Sequence, residues 1–238
     1  MKKSDLIIYE CKKEKTCLFG TSYRKMFIAF DGIDGAGKST IYKKIAHELE
    51  KNYSVQVFDM GCLGFLDDII EGIKKGKYLC SAEIRECIYY FEGCLFSDLI
   101  VGKYLKDKYK HILIDRYLLS FLSYGPLNGV SIDKVSLLTS KMKWPDYYFY
   151  VDVQPEIALN RIKNKRNIVK PEIGYKNELE TNEKENHAKF ISHQTLVRKN
   201  FKQAIQFVGK KVYSINNDGD NDYALYEIRK VLGRELRC

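Results

Sequence analysis

Short apolar runs recur along the chain and are separated by longer segments in which apolar residues have helical spacing. The first run, residues 26–30, ends at Asp31-Gly32, as a buried strand of a parallel sheet does. Four similar runs follow at residues 54–58, 111–115, 147–153 and 211–215. The pattern therefore predicts five strands in a mainly parallel sheet.

Between these runs, apolar residues recur every three or four positions, which predicts amphipathic helices. The faces so marked are Ile41, Ile45 and Leu49; Ile84, Ile88, Phe91 and Leu95; Val197, Phe201, Ile205 and Val208; and Tyr223, Tyr226, Ile228 and Leu232. Strands that alternate with helices imply right-handed crossovers. We predict an α/β fold in which helices cover both faces of the five-stranded sheet.

Two segments depart from this alternation. Residues 1–25 mix charges with little periodicity, and we treat them as an N-terminal extension of a single domain that spans residues 26–238. Residues 163–187 are strongly polar: basic residues crowd positions 161–170, and Glu178, Glu180, Glu183 and Glu185 follow. A charge run of this kind is usually a solvated face, but its position also suits a lid over a phosphate site.

Composition narrows the class of protein. The chain has 238 residues, of which 45% are hydrophobic and 30% charged, as in globular proteins. The net charge of +9 suits an anionic partner such as a phosphate or a nucleotide. No apolar run approaches the ~18 residues that span a bilayer, and the N-terminal apolar run is too short for a secretory leader. We expect a cytoplasmic protein that does not bind membranes.

The cysteines give no sign of a metal or redox site. The seven cysteines form no C-x-x-C pair, which structural zinc sites and redox sites commonly use. Cys80, Cys87 and Cys94 recur every seven residues and would lie along one face of a helix. We expect them to be buried, reduced thiols.

Residues 32–39, Gly-Ile-Asp-Gly-Ala-Gly-Lys-Ser, match the phosphate-binding pattern G-x-x-x-x-G-K-[ST] between a strand and a helix. The glycines allow successive backbone N–H groups to turn inward around an anion. Lys38 supplies a positive charge to the β- and γ-phosphates, and the Ser39 hydroxyl can bind Mg²⁺. The sequence thus predicts a P-loop that binds a nucleoside triphosphate through Gly35, Ala36, Gly37, Lys38, Ser39 and Thr40.

A second chemical signal follows the third predicted strand. Asp115 ends that strand, so its carboxylate lies at the carboxyl edge of the sheet, where doubly wound folds bind ligands. We expect it to hold Mg²⁺ together with Ser39. Arg116 beside it presents a planar fork of donors for phosphate oxygens.

Three blocks of sequence resemble thymidylate kinases. Residues 27–40 are similar to that family's opening, F-I-x-F-E-G-x-D-G-x-G-K-S-T, with Asp31 in place of the glutamate. Residues 114–120 resemble its D-R-Y-x-x-S motif, and residues 145–162 resemble its P-D-x-x-x-Y-L-D-V-x-P-E-x-A-L-x-R-I stretch. The blocks occur in family order, and the resemblance covers roughly residues 26–235. It implies a P-loop nucleoside monophosphate kinase that transfers the γ-phosphoryl group of ATP to dTMP with Mg²⁺, and that forms a homodimer.

The same resemblance implies roles for single residues. Asp34 would contact the 3′-hydroxyl of the acceptor's deoxyribose, Phe91 would stack on thymine, and Tyr124 would wall the sugar. Gly35 occupies a position that carries arginine in one group of the family. The catalytic charge would therefore come from the lid, where Lys163, Lys165 and Arg166 are the candidates. With Arg166, the expected catalytic residues are Lys38 and Arg116.

The acceptor site departs from the family pattern in two places. After the second strand, where the family has R-E-P or R-F-P, residues 57–61 read Val-Phe-Asp-Met-Gly. The family's F-x-A-x-R motif is replaced by Phe-Glu-Gly-Cys-Leu at residues 91–95. Losing two guanidinium groups costs several kcal/mol, at ~1.5–3 for each charged hydrogen bond, unless Arg85, Lys74 or Lys75 compensates.

These departures leave two other functions open. In a deoxynucleoside kinase, Asp59 would deprotonate a sugar hydroxyl, because a hydroxyl acceptor needs a general base whereas a phosphate does not. A non-catalytic nucleotide-binding module is the third possibility. We favour the monophosphate acceptor, in whose site Asp34, Asp59, Phe91, Arg116 and Tyr124 would bind the substrate. Nucleic acid is not an expected partner, since the basic residues cluster at the lid rather than along a stripe with aromatic residues.

Overall fold

A five-stranded parallel sheet forms the centre of the computed structural model, which describes residues 25–60, 66–74, 77–106, 110–174 and 177–233. Its strand order is β2-β3-β1-β4-β5. The strands are β1 (Phe27–Asp31), β2 (Ser54–Asp59), β3 (Lys110–Asp115), β4 (Tyr147–Asp152) and β5 (Tyr213–Asn216). The predicted α/β fold is confirmed, with strand ends that differ from the apolar runs by one or two residues.

Helices connect the strands of the sheet. They are α1 (Lys38–Leu49), α2 (Asp67–Lys74), α3 (Ala82–Leu95), α4 (Gly102–Tyr104), α5 (Leu118–Tyr124), α6 (Ile132–Leu138), α7 (Pro155–Lys163), α8 (Glu183–Val208) and α9 (Asn221–Leu232). A π-helical segment (Phe96–Val101) joins α3 to α4, and short 3₁₀ turns occupy Gly125–Asn128 and Lys170–Ile173. In the described part of the chain, no helix combines the length and the apolar character needed to cross a bilayer.

The central strands are largely apolar because both faces of the sheet are covered. Phe30 of β1 contacts Tyr42 of α1, with ring centroids 6.4 Å apart, and α9 packs beside α1. On the opposite face, Tyr150 of β4 contacts Phe201 of α8 at 5.2 Å, and α5 packs against α8. Alternate residues of one strand thus face different helical layers, as a parallel sheet requires.

The strand register brings the chemically active ends of three strands together. Phe30 of β1 pairs with Asp115 of β3, and Asp59 of β2 pairs with the same residue. The residues that follow these positions therefore emerge at one edge of the sheet, which is the ligand-binding edge of doubly wound folds.

The predicted apolar face of α3 is not its buried face. Ile84 and Phe91 are 53% and 58% exposed, whereas Tyr90 and Gly93 are buried. Gly93 allows α3 to approach α5 closely, because a Cβ atom at this position would lie 2.5 Å from a ring carbon of Phe121. A small residue and an aromatic residue with a polar end thus determine which face packs, and neither contributes to a simple apolar pattern.

Two smaller predictions need correction. In α9, Tyr223 and Tyr226 are exposed, and the buried stripe consists of Ala224, Leu225, Ile228 and Leu232. Cys80 is exposed and Cys87 and Cys94 are half-buried, so these thiols are free but not buried as expected. The other four cysteines, Cys11, Cys17, Cys62 and Cys238, lie outside the described residues, as do residues 1–24 of the N-terminal extension.

A buried histidine makes the stability of this fold sensitive to acid. The Nδ1 atom of His111 in β3 accepts a hydrogen bond of 3.1 Å from the backbone N–H of Met26. Burial lowers the pKa of His111 from 6.5 to about 4. The unfolded chain therefore takes up a proton at a higher pH than the folded chain, so stability falls as the pH falls from 6.5 towards 4.

We expect this one group to remove up to about 3 kcal/mol of the free energy of unfolding across that range. Urea unfolding of the wild-type protein and of His111→Gln at several pH values measures the difference. The variant should lose less stability than the wild type between pH 6.5 and 4, whereas His47→Gln, at an exposed position of α1, should follow the wild type. Parallel pH profiles for His111→Gln and the wild type would contradict the assignment.

Candidate active site

The loop between β1 and α1 has a backbone that only glycine accommodates at two positions. Gly35 and Gly37 have left-handed φ angles of 77° and 88°. A Cβ atom at Gly35 would lie 2.6 Å from the carbonyl oxygen of Ala158. Neither the backbone conformation nor the space allows the arginine that one group of the family carries at this position.

Lys38 points back into this loop from the first turn of α1. Its Nζ atom donates hydrogen bonds to the carbonyl oxygens of Gly32, at 3.1 Å, and Ile33, at 3.0 Å. Burial, helped by the charge of Arg116, lowers the pKa of Lys38. A buried ammonium group held inside a turn of backbone at a helix N-terminus is suited to binding phosphate oxygens.

Ser39 and Asp115 form an oxygen-rich pair beside the loop. The Ser39 hydroxyl donates a hydrogen bond of 2.9 Å to Oδ2 of Asp115. Oδ1 of Asp115 is buried and receives no hydrogen bond from the described residues. These oxygen donors fit Mg²⁺, which favours carboxylate and hydroxyl ligands and is completed by phosphate and water. Consistently, the described residues contain no cluster of three histidine, cysteine or acidic side chains that could enclose a metal by themselves.

Arg116 meets Asp34 at the centre of the site. The Arg116 guanidinium forms an ion pair with the Asp34 carboxylate. Burial alone would raise the pKa of Asp34, but the charges of Arg116 and Lys38 lower it below its ordinary value. Arg116 itself has a left-handed φ of 64°, which costs about 1–2 kcal/mol in a residue with a side chain. Its N–H donates to the carbonyl oxygen of Phe30 at 2.8 Å.

Two further side chains surround Asp34. The Tyr124 hydroxyl lies 3.4 Å from Oδ2 of Asp34, and the ring faces the Arg116 guanidinium at 5.7 Å. Gln194 of α8 donates to the same oxygen at 3.2 Å and accepts from the Asp34 N–H at 3.2 Å. No local pattern of the sequence marks Gln194, because a single polar residue on a long helix carries no motif.

Gln194 also connects this cluster to the predicted lid. Its Nε2 atom donates a second hydrogen bond, of 2.9 Å, to the carbonyl oxygen of Glu172. The buried Glu172 carboxylate binds both terminal nitrogens of Arg166, at 3.0 and 2.5 Å. This bond to Glu172 raises the pKa of Arg166, which stays charged. Lys163 and Lys165, the other lid candidates, are exposed, as is Arg166 itself.

The loop that follows β5 supports the P-loop from behind, a role that the sequence analysis also missed. Asn217 donates a hydrogen bond of 2.7 Å to the carbonyl oxygen of Ala36. Arg161 of α7 donates to the carbonyl oxygens of Asn217 and Gly219, each at 2.7 Å. Arg161 belongs to the basic run and to the family-like stretch at residues 145–162, but neither pattern indicated its partner loop, which is 56 residues away along the chain.

Four further predicted residues have the following positions. Thr40 is half-buried in the first turn of α1, Asp59 ends β2 beside Asp115, and Phe91 is exposed on α3 rather than in the core. Arg85 donates to Asn128 at 3.3 Å and lies 3.9 Å from the buried Glu86. Among the proposed substitutes for the missing arginines, Arg85 is thus bound within the protein, and Lys75 lies outside the described residues.

Proteins that bind nucleoside triphosphates through a P-loop place the loop after a central strand, beside an acidic residue that ends a neighbouring strand. This chain has the same arrangement, with the Ser39–Asp115 pair in that position, and it belongs to the P-loop nucleotide-binding class. Its particular family follows from comparison with known sequences. Residues 30–217 match the sequence model of thymidylate kinases, and the chain belongs to the thymidylate kinase family.

Individual relatives agree with this assignment. The thymidylate kinase of Staphylococcus epidermidis is 32% identical over 183 residues, which cover 69% of this chain and 79% of that protein. Probable thymidylate kinase 2 of Saccharolobus solfataricus is 30% identical over 152 residues, covering 63% and 69% of the two chains. The crystal structure of the Ehrlichia chaffeensis thymidylate kinase has a TM-score of 0.63 at 17% identity and covers 87% of this chain and 98% of that one. The structural likeness supports the fold.

The pair of oxygen ligands leads to a prediction about magnesium. Asp115→Asn should raise the Mg²⁺ concentration needed for half-maximal nucleotide binding or turnover by about tenfold or more, because the amide presents a weaker ligand than the carboxylate. Titration with Mg²⁺ at fixed ATP measures this shift. Asp133→Asn, on α6, is the matched control and should titrate like the wild type. Identical titrations for Asp115→Asn and the wild type would exclude Asp115 as a metal ligand.

Proposed function

We propose that this protein transfers the γ-phosphoryl group of ATP to dTMP, giving ADP and dTDP. The main support is one cluster: the P-loop lysine and the arginine that follows β3 converge on Asp34, inside a chain of the thymidylate kinase family. An ATP-dependent phosphotransferase of nucleotide biosynthesis needs a donor site and an acceptor site that share a boundary, and Asp34 lies at that boundary.

On the donor side, the P-loop binds the triphosphate. Lys38 exchanges the carbonyl oxygens of Gly32 and Ile33 for phosphate oxygens, and the free N–H groups at the start of α1 add further donors. Thr40 contributes its hydroxyl or amide to the α-phosphate. Ser39 and Asp115 would hold Mg²⁺, which when bound neutralises charge on the phosphates.

On the acceptor side, Asp34 accepts a hydrogen bond from the 3′-hydroxyl of the deoxyribose, and Tyr124 forms the wall beside the sugar. Arg116 then turns from Asp34 towards the phosphate oxygens, where its planar fork stabilises charge in the transition state. The exposed ring of Phe91 on α3 is available for stacking on thymine. A phosphate acceptor is already anionic, so Asp59 has no proton to remove and serves at most to bind the substrate.

The lid supplies the charge that the P-loop lacks. Gly35 has no room for a side chain, and Arg166 is the lid residue that bonding to Glu172 holds in a defined position. Closure of residues 163–187 over ATP would bring this guanidinium to the phosphates and exclude water.

Neither of the other functions is favoured. A deoxynucleoside kinase would use Asp59 as a base. However, the two relatives named above, which this chain matches over more than two thirds of their length, are described as a probable thymidylate kinase and a thymidylate kinase. A binding module without catalysis would not need both the Lys38 and the Arg116 side chains.

The homodimer that the resemblance implies stays a prediction, which light scattering of the purified protein would test.

Turnover with two acceptors tests the proposed function. With ATP and Mg²⁺, ADP release should depend on added dTMP and should not rise above the background with thymidine. Lys38→Ala should abolish transfer, because the variant removes the positive charge that binds the phosphates. The circular dichroism spectrum should be unchanged, since within the protein only the two side-chain bonds to the Gly32 and Ile33 carbonyls are lost. Release driven by thymidine alone would instead identify a nucleoside kinase, and no release with any acceptor would favour a binding module.

The lid makes a second, separable prediction. Arg166→Ala should lower kcat by about 100-fold or more, since a charge that acts mainly in the transition state is lost, and should change the Kd for ATP much less. Arg166→Lys keeps the charge but lacks the paired donors, so its kcat should lie between those of Arg166→Ala and the wild type. Lys184→Ala, at an exposed position of α8, is the control. A larger change in ATP affinity than in kcat would contradict the catalytic role of Arg166.

A further inference from the structure

One buried carboxylate in this site takes no part in the steps described above. Asp31, the last residue of β1, is 0% exposed. It lies one residue before the P-loop, and the charges of Arg116 and Lys38 reach it. A fully buried acid that touches neither substrate is costly unless its hydrogen bonds serve another purpose.

Asp31 accepts three hydrogen bonds, all from groups outside the P-loop. Oδ2 accepts from the backbone N–H of Tyr117 at 3.1 Å and from the Tyr148 hydroxyl at 2.5 Å. Oδ1 accepts from the Ser120 hydroxyl. The Tyr148 oxygen in turn accepts a hydrogen bond of 2.8 Å from the N–H of Leu119. The Tyr148 oxygen therefore accepts from Leu119 and donates its single proton to Asp31.

Two of these bonds provide acceptors for backbone N–H groups at the start of α5 from residues that are far away along the chain. The residue before α5, Tyr117, provides no side-chain cap, and helix N-termini need acceptors for their free N–H groups. The Asp31 carboxylate accepts a hydrogen bond from one of these groups, the Tyr117 N–H, and the Tyr148 oxygen accepts one from another, the Leu119 N–H. A negative charge at this end of a helix is also favourable. Burial, together with the Asp31 charge, raises the pKa of Tyr148, so the phenol keeps its proton.

Two successive backbone N–H groups, those of Arg116 and Tyr117, are hydrogen-bonded to residues of β1. The Arg116 N–H is bonded to the carbonyl of Phe30, and the Tyr117 N–H is bonded to the Asp31 carboxylate. The left-handed backbone at Arg116 would relax if either bond were lost, because a residue with a side chain avoids this conformation. The direction of the guanidinium depends on that backbone.

We propose that Asp31 and Tyr148 are positioning residues, which hold the turn at Arg116 in its left-handed conformation and so aim the guanidinium into the site. The pair suits this chain in particular. Where the family pattern has glutamate, this chain has the shorter aspartate, and the Tyr148 phenol reaches it from β4, where Tyr148 pairs with Ala29. The inference rests on the proposed function, because it concerns the arginine of that reaction.

Tyr148→Phe isolates the hydroxyl, since the ring keeps its contact with Trp144 at 5.0 Å. We expect kcat for dTMP to fall by about tenfold or more, because small displacements of a transition-state group have effects of this size, with the KM for ATP within about twofold of the wild type. Ser120→Ala should have a smaller effect in the same direction. Tyr150→Phe is the matched control, because Tyr150 is a buried tyrosine of the same strand that donates to a different carboxylate, Asp152, at 3.1 Å.

A merely structural role would lower the melting temperature of Tyr148→Phe and Tyr150→Phe alike and leave kcat unchanged in both. A double-mutant cycle gives the sharper readout. In an Arg116→Lys background, the loss of kcat caused by Tyr148→Phe should shrink to about twofold, because the group it positions is gone. Full additivity, or an unchanged kcat in the single variant, would overturn the positioning role while wild-type turnover with dTMP still stands. No transfer to dTMP by the wild-type protein would overturn the proposed function itself.

Discussion

Parallel pairing of β1 between β3 and β4 is the constraint on which the rest of the molecule depends. It aligns Phe30 with Asp115, so the P-loop and the Asp115-Arg116 turn leave the sheet side by side. A shift of either strand by one residue would reverse which side chains face each helical layer. Burial of the apolar side chains of β1, at ~25 cal/mol per Å² of apolar surface removed from water, opposes such a shift. The core therefore sets the geometry of the site.

Charge balance within the site explains why similar carboxylates behave differently. Asp31 accepts its hydrogen bonds from neutral groups, and burial raises its pKa despite the charges of Arg116 and Lys38, whereas Asp34 is paired with Arg116 and its pKa is lowered. Together with Asp115 and Lys38, these groups form a buried cluster in which each charge compensates its neighbours. Removal of one member leaves the others uncompensated, which is why single substitutions in such clusters have large effects.

Local sequence patterns carried most of the fold and located the loop around Lys38. The apolar runs indicated the five strands, and the glycine pattern indicated the loop around Lys38, because both depend on neighbouring residues. Gln194 and Asn217 could not be found in this way. Each is a single polar side chain whose value comes from a partner more than 150 residues away along the chain, Asp34 for Gln194 and Ala36 for Asn217.

The buried face of α3 is a second feature that local sequence patterns could not predict, because it depends on how closely the helices pack. Apolar spacing favoured Phe91, yet the helix buries Tyr90 and Gly93, since close contact with Phe121 requires a residue without a side chain. Spacing records how apolar a position is, but not how near the neighbouring helix will come. The stacking role that the family resemblance implies for Phe91 stays a prediction.

The two carbonyl bonds of Lys38 have a consequence for how tightly nucleotides are held. Because the ammonium group is already satisfied by Gly32 and Ile33, capture of a phosphate is a swap of partners and yields only the difference between them. The same carbonyls are available to receive the ammonium group when ADP departs. Such a balanced exchange favours rapid release of the spent nucleotide, and so repeated cycles, over tight retention.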